Sequence, residues 1–140
     1  MTTARDIMHP GAQCIGEHAS LAEAARMMRD LGVGSLPICG DDNRLKGIIT
    51  DRDIVIKCLA EDQDPAAMTA AQLAQGKPMC IQDNADVNEV LRVMEQYQIR
   101  RLPVIASQDH QLVGMISEAD VVRNLPREQV AEFVGAVYTA

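Results

Sequence analysis

Two short stretches of this chain carry residue types that could hold a phosphorylated sugar. In Thr50-Asp51-Arg52-Asp53 and in Ser117-Glu118-Ala119-Asp120, a hydroxyl is followed three residues later by a carboxylate. Each follows an apolar run (Gly47-Ile48-Ile49; Gly114-Met115-Ile116), so each hydroxyl falls where a strand hands over to a helix. The first amides of a helix lack internal partners and carry the positive end of its macrodipole; a phosphate there can accept from them and from Thr50 or Ser117. An ionised aspartate only accepts, and Asp53 or Asp120 could take two vicinal hydroxyls of the kind a ribose presents. The same spacing also suits a capping box, in which the fourth residue bonds back to the cap amide. Glu or Gln is the usual partner there, and Asp is expected to reach the cap less readily. Capping and binding both stay open.

Other chemistries find little support. The cysteines Cys14, Cys39, Cys58 and Cys80 form no C-x-x-C, and His9, His18 and His110 form no metal-ligand spacing, so no metal site is expected. The histidines read as isolated surface residues. Cys14 and Cys39 belong to the first two strands of one unit, where a disulfide is conceivable, although their separation is not given by sequence. No P-loop or Rossmann glycine pattern occurs, and no Cys–His pairing suggests a nucleophile, so the chain is not expected to be an enzyme.

The elements that must position these groups are written twice. Shifted by 66, residues 14–39 repeat at 80–105 with 8 identities in 26 positions, among them Cys14-Ile15 on Cys80-Ile81 and Leu36-Pro37 on Leu102-Pro103. Shifted by 67, Gly47–Val55 falls on Gly114–Val122, with Thr for Ser, Asp for Glu and Ile for Val. Each copy reads as a short strand, a helix, two strands and a closing helix. Ser20 and Asp86 are N-cap candidates. Behind them Leu21, Ala24, Ala25, Met28 and Val87, Val90, Leu91, Met94 lie at helical spacing. Gly32 should end the first helix, with Gln98 a weaker stop. Pro37 and Pro103 restrict their strands to an edge or to an interrupted ladder. Short helical turns open at Thr3 and Thr69, ended by Pro10-Gly11 and Gly76. The expected class is α+β: unit 1 over 1–60 with its N-terminal turn, a linker over 61–68, unit 2 over 69–125, and a tail over 126–140. Val130, Phe133, Val134 and Val137 share one face of the tail helix, which should dock on the domain or on a sister chain.

Composition narrows the partners. The 140 residues carry a formal charge of −7 and only 2% aromatics, which argues against a nucleic-acid binder. No apolar run is long enough for a membrane span, and the start lacks a signal layout, so a cytoplasmic location is expected.

The duplicated pattern, Leu-Pro-Ile/Val on one strand and Gly-h-h-Thr/Ser-x-x-Asp-h-h at the next strand–helix junction, resembles a tandem CBS-domain pair (a Bateman module) over nearly the whole chain. Ala4-Arg5-Asp6-Ile7-Met8, Leu36–Asp42 and Thr50–Lys57 look closest to stand-alone two-CBS proteins of the actinobacterial hypoxic response type. The resemblance implies two units packed by pseudo-two-fold symmetry, with clefts between them that take AMP, ADP, ATP or S-adenosylmethionine. It implies ribose on Asp53 and Asp120, phosphate on Thr50 and Ser117, and adenine walls from Cys14, Ile15, Ile38, Cys80, Ile81 and Val104. A homodimer and a stress-response role are implied as well, with no cofactor required.

The copies are not equal. Arg100-Arg101 precede Leu102-Pro103, where the family places a basic phosphate contact, whereas Val33-Gly34-Ser35 holds no base. Strand alternation lets only one of the arginines face a given cleft, and the alternative is a solvated strand end. Unequal sites follow, with Arg52 a partial compensation in the first copy. The leading expectation is a non-catalytic module that reads an adenosine ligand and signals to an unidentified protein partner. A protein-interaction module with vestigial clefts and a thiol-based stress sensor are the alternatives.

Overall fold

A computed structural model describes residues 2–11, 13–74 and 78–138. In chain order the elements are α1 (Ala4–Ile7), β1 (His9–Pro10), β2 (Ile15–Gly16), α2 (Leu21–Leu31), β3 (Ser35–Cys39), β4 (Leu45–Thr50) and α3 (Asp51–Lys57). There follow a 3-10 turn (Leu59–Glu61), α4 (Ala70–Leu73), β5 (Ile81–Gln82), α5 (Val87–Tyr97), β6 (Arg101–Ile105), β7 (Leu112–Ser117), α6 (Glu118–Arg123) and α7 (Arg127–Val137). Among the described residues no helix is long and apolar enough to cross a membrane.

Helix starts follow from their caps. The Ser20 hydroxyl accepts from the Glu23 amide at 3.1 Å and the Glu23 carboxylate accepts from the Ser20 amide at 3.3 Å. Asp86 caps α5 through the Asn88 amide at 2.8 Å. Gly32 closes α2 at φ +67°, and Gln98 takes the same left-handed place after α5 at φ +52° without glycine's freedom. Leu21, Ala24 and Met28 are buried beneath α2, while Ala25, expected on that stripe, is exposed and Met27 packs on the core instead.

The chain forms two compact units: one is Gln13–Pro78, and the other joins Met1–Ala12 to Met79–Ala140. The expected β-α-β-β-α order holds in both. In the first unit β3 lies between a parallel β2 and an antiparallel β4; in the second the strand order is β1-β7-β6-β5. Pro37 and Pro103 therefore lie in central strands, not on edges. β2 pairs only with Ile38 and Cys39, and β5 only with Val104 and Ile105, so on that side each ladder begins just past the proline.

The partition differs from the boundaries read from sequence, because the two Thr-initiated turns are exchanged. In the second unit the Ala4 amide donates to the Ala85 carbonyl at 2.8 Å, the Val87 amide to the Thr2 carbonyl at 2.9 Å, and β1 pairs antiparallel with β7. In the first unit the Ala70 amide donates to the Ala19 carbonyl at 2.8 Å and the Leu21 amide to the Met68 carbonyl at 2.9 Å. Within the stretch 61–68 the Pro65 carbonyl accepts from the Ala22 amide at 3.0 Å. The loop before each long helix needs partners for its backbone, and the neighbouring copy's turn supplies them. Gly76 lies outside the described residues; α4 is capped at Ala74.

Glycine makes this exchange fit. A Cβ on Gly114 would lie 2.7 Å from the His9 carbonyl oxygen and 2.5 Å from Met8 Sδ. A Cβ on the equivalent Gly47 would lie 2.9 Å from Ala74 Cβ. The tail helix docks within its own unit: Phe133 and Val137 are buried among Val90, Met94 and Val121, whereas Val134 is exposed.

Candidate functional site

At the β4–α3 junction the Asp53 amide donates to Thr50 Oγ1 at 3.0 Å and the Thr50 amide donates to Asp53 Oδ2 at 3.1 Å. At the β7–α6 junction the Asp120 amide donates to Ser117 Oγ at 3.3 Å, and the Ser117 amide and hydroxyl donate to Asp120 Oδ2 at 2.8 and 3.0 Å. Both are complete capping boxes, so the expectation that aspartate reaches the cap poorly is corrected. The extended cap residue (ψ 160° at Thr50, 166° at Ser117) brings its own amide close enough for the shorter side chain.

The cap consumes one carboxylate oxygen and leaves the other. Oδ1 of Asp53, a half-buried residue, lies 3.3 Å from Lys57 Nζ. Oδ1 of Asp120 lies 3.0 Å from His9 Nε2 and 3.2 Å from the Arg123 guanidinium, although the carboxylate itself is only 3% exposed. Lys57 and Arg123 follow their aspartates at helical spacing, a signal present in the sequence. The sequence alone presents His9 as an isolated surface histidine. It reaches the site because β1 pairs with β7, His9 opposite Met115.

The other predicted residues fall as follows. Ile15 stands opposite Ile38 across β2–β3, and Ile81 opposite Val104 across β5–β6. All four are buried in their units' cores. Cys14 and Cys80 precede the short strands and are half-buried. The Cys14 thiol lies 3.9 Å from the Asn43 side-chain oxygen. No disulfide joins the cysteines; Cys39 is buried beside Cys14, and burial first, then the hydrogen bond with Cys14, pushes its thiol pKa well up.

Arg101 is exposed and pairs with Ser117 in the ladder. Arg100 precedes the strand, and its carbonyl accepts from the Glu118 amide at 3.0 Å. Its guanidinium lies 4.7 Å from the centre of the Tyr138 ring, and the Tyr138 hydroxyl donates to Glu118 Oε1 at 2.6 Å. The first unit repeats the backbone bond, from the Asp51 amide to the Gly34 carbonyl at 2.9 Å, without arginine or tyrosine. The sequence signalled Arg100 but not Tyr138, which the docking of α7 brings from the far end of the chain.

Two such units, each with a hydroxyl–carboxylate cap at the close of its last strand, define a tandem pair of CBS domains. The CBS domain family matches residues 4–59 and 70–127, and the chain belongs to that family. Over 137 residues, 98% of this chain and 94% of the relative, it is 52% identical to hypoxic response protein 1 of Mycobacterium tuberculosis. A crystal structure of Hypoxic Response Protein I with two coordinated zinc ions matches at TM-score 0.82 and 54% identity, covering 89% of this chain and all 100% of that one. CBSX2 in complex with AMP matches at TM-score 0.75 and 23% identity, covering 89% and 96%, a likeness of fold. Among the described residues of this chain, no three His, Cys, Asp or Glu side chains are grouped to hold a metal ion.

Proposed function

We propose that this protein is a non-catalytic regulatory module that binds an adenosine-type ligand, AMP, ADP, ATP or S-adenosylmethionine, and signals to a partner protein. The observation that carries this reading is the division of labour on Asp53 and Asp120. Oδ2 is spent on the cap, while among the described residues Oδ1 meets the exposed side chains of Lys57, or of His9 and Arg123. Ribose hydroxyls are donors that can take the place of those side chains. Thr50, Ser117, Arg100 and Arg101 are then the phosphate contacts. Cys14, Ile15, Ile38, Cys80, Ile81 and Val104 are the apolar residues on the adenine side. CBSX2 is a family member with AMP bound, and the hypoxic response relative suggests a stress setting.

Titration calorimetry with AMP, ATP and S-adenosylmethionine tests the reading. Asp53→Asn and Asp120→Asn keep an oxygen for the cap and lose the second acceptor, so they should weaken binding without unfolding the protein. No heat at millimolar ligand, or equal affinity in both variants, would leave the caps as structure alone.

The module is further proposed to pair with a second copy through the α2–α3 face of the first unit. Val33 and Val55 line a groove there and are exposed, and Ile56 and Leu59 are exposed at the end of α3 and just after it. The rim alternates in sign, Arg29 with Asp30 and Asp51 with Arg52, so it complements itself across a two-fold axis. Sedimentation should show a dimer that Val55→Asp with Ile56→Asp dissociates; an unchanged assembly removes this face. A thiol-sensing role is the second reading, favoured by the contact between Cys14 and Cys39.

A further inference from the structure

Arg100 is one of the arginines proposed above to meet a ligand phosphate, yet Tyr138, just after α7, already engages it. Its guanidinium stacks on the Tyr138 ring at 4.7 Å, and the Tyr138 hydroxyl is fixed to Glu118, the first residue of α6, by a 2.6 Å hydrogen bond. The ring is held from a firm base. Val137, the preceding residue, is 4% exposed in the core, and the Tyr138 amide donates to the Val134 carbonyl at 3.1 Å.

The first unit shows what this position does without the contact. A Cβ on Gly34, the counterpart of Arg100, would point at Asp51, the counterpart of Glu118, at 3.2 Å from its Oδ2. A side chain at this place therefore leaves the backbone toward the first carboxylate of the closing helix. In the second unit Tyr138 touches both that carboxylate and the guanidinium. Glu118 Oε2 is buried and finds no hydrogen-bond partner among the described residues, so the hydroxyl bond to Oε1 is this carboxylate's side-chain bond there.

We propose that Tyr138 is a latch on Arg100: a ligand phosphate at the second unit must draw the guanidinium off the ring, and the end of α7 thereby senses whether that site is filled. Phosphate and the tyrosine compete for one cation, the phosphate through charge-assisted hydrogen bonds and the ring through its quadrupole. This rests on the ligand reading above and adds regulation to it. It also makes the signal specific to phosphate, because adenosine alone has nothing to exchange for the ring.

The test uses the full chain with Tyr97→Phe, which leaves Tyr138 as the single tyrosine. Isotope-labelled tyrosine then reports the Tyr138 ring by NMR while AMP or adenosine is titrated, with calorimetry in parallel. AMP should shift the ring resonances and adenosine should not. Tyr138→Ala should bind AMP about three- to tenfold more tightly, Tyr138→Phe should fall between, and Arg100→Ala should cancel the gain. Thermal melts of each variant separate these effects from unfolding. AMP bound with equal affinity by Tyr138→Ala and parent, with the ring signal unmoved, overturns the latch and leaves the ligand reading standing. No AMP binding by the parent or any variant overturns both.

Discussion

The imidazole Nε2 of His9 lies 3.0 Å from Oδ1 of Asp120, the oxygen proposed above as a ribose acceptor. Arg123 donates to the same oxygen at 3.2 Å, so two side chains crowd it. On the proposed reading, a ribose hydroxyl would displace one of them. In an Asp53→Asn background, which isolates the second unit, His9→Ala should therefore tighten AMP binding severalfold by calorimetry. The His9 side chain is 71% exposed, so the loss of this contact should cost at most about 1 kcal/mol of stability in denaturant melts. Weaker binding would mean that the histidine orients the carboxylate rather than competing for it.

Gly114 allows the N-terminal segment to lie on β7. Adding one methyl there drives it to 2.7 Å from the His9 carbonyl oxygen, a backbone atom with little room to yield. Gly114→Ala should lower stability by about 1–3 kcal/mol, the usual cost of overpacking. Gly47→Ala meets the Ala74 methyl at 2.9 Å and should cost less. Urea midpoints of the two variants check the order; equal and negligible losses would argue that the exchanged segments are loosely held.

The exchange itself explains what the sequence could and could not tell. A translation of 66 residues matches Thr3 to Thr69 and Ser20 to Asp86, and this is satisfied whether each turn packs on its own copy or on the other. The bridges that decide it, Thr3 with Asp86 and Ser20 with Thr69, are long-range pairings with no local signature. What is local was legible: the stripe under α5, the caps Ser20 and Asp86, and the junctions at Thr50 and Ser117. Side-chain length alone underestimates the reach of Asp53 and Asp120, because the backbone of the cap sets the distance. His9 and Tyr138 escaped because each arrives by packing of a chain end.

The ion pair that fastens α1 has a pH signature. The Arg5 guanidinium bonds Asp83, whose other oxygen accepts from the Ser107 amide at 3.1 Å. The arginine first, with the amide, holds the Asp83 carboxyl below its ordinary value of 3.8, against the opposing effect of burial. A carboxyl depressed in the folded state stabilises fully above its unfolded value and loses that contribution as pH falls through the folded one. Stability should therefore drop below about pH 4 more steeply in the parent than in Asp83→Asn. Denaturant melts at pH 5 and at pH 3 check this, and parallel acid limbs would show that the pair does not respond.

Cys14 and Cys39, two of the three thiols of the first unit, should differ in reactivity. Cys39 is buried and its pKa is driven up, so it stays protonated at neutral pH, while half-buried Cys14 beside it is the accessible partner. The thiolate is the nucleophile, so iodoacetamide should modify Cys14 well before Cys39, as peptide mass mapping would show. Diamide oxidation should then run through the Cys14 thiolate. It adds to the diazene, and the Cys39 sulfur, giving up its proton, then displaces the adduct; the products are a Cys14–Cys39 disulfide and the hydrazine, whose two nitrogens carry the two protons the thiols lost. Cys14→Ser should abolish that link. A parent protein that diamide leaves unlinked at these positions would remove the thiol-sensing reading and leave the ligand reading to stand alone.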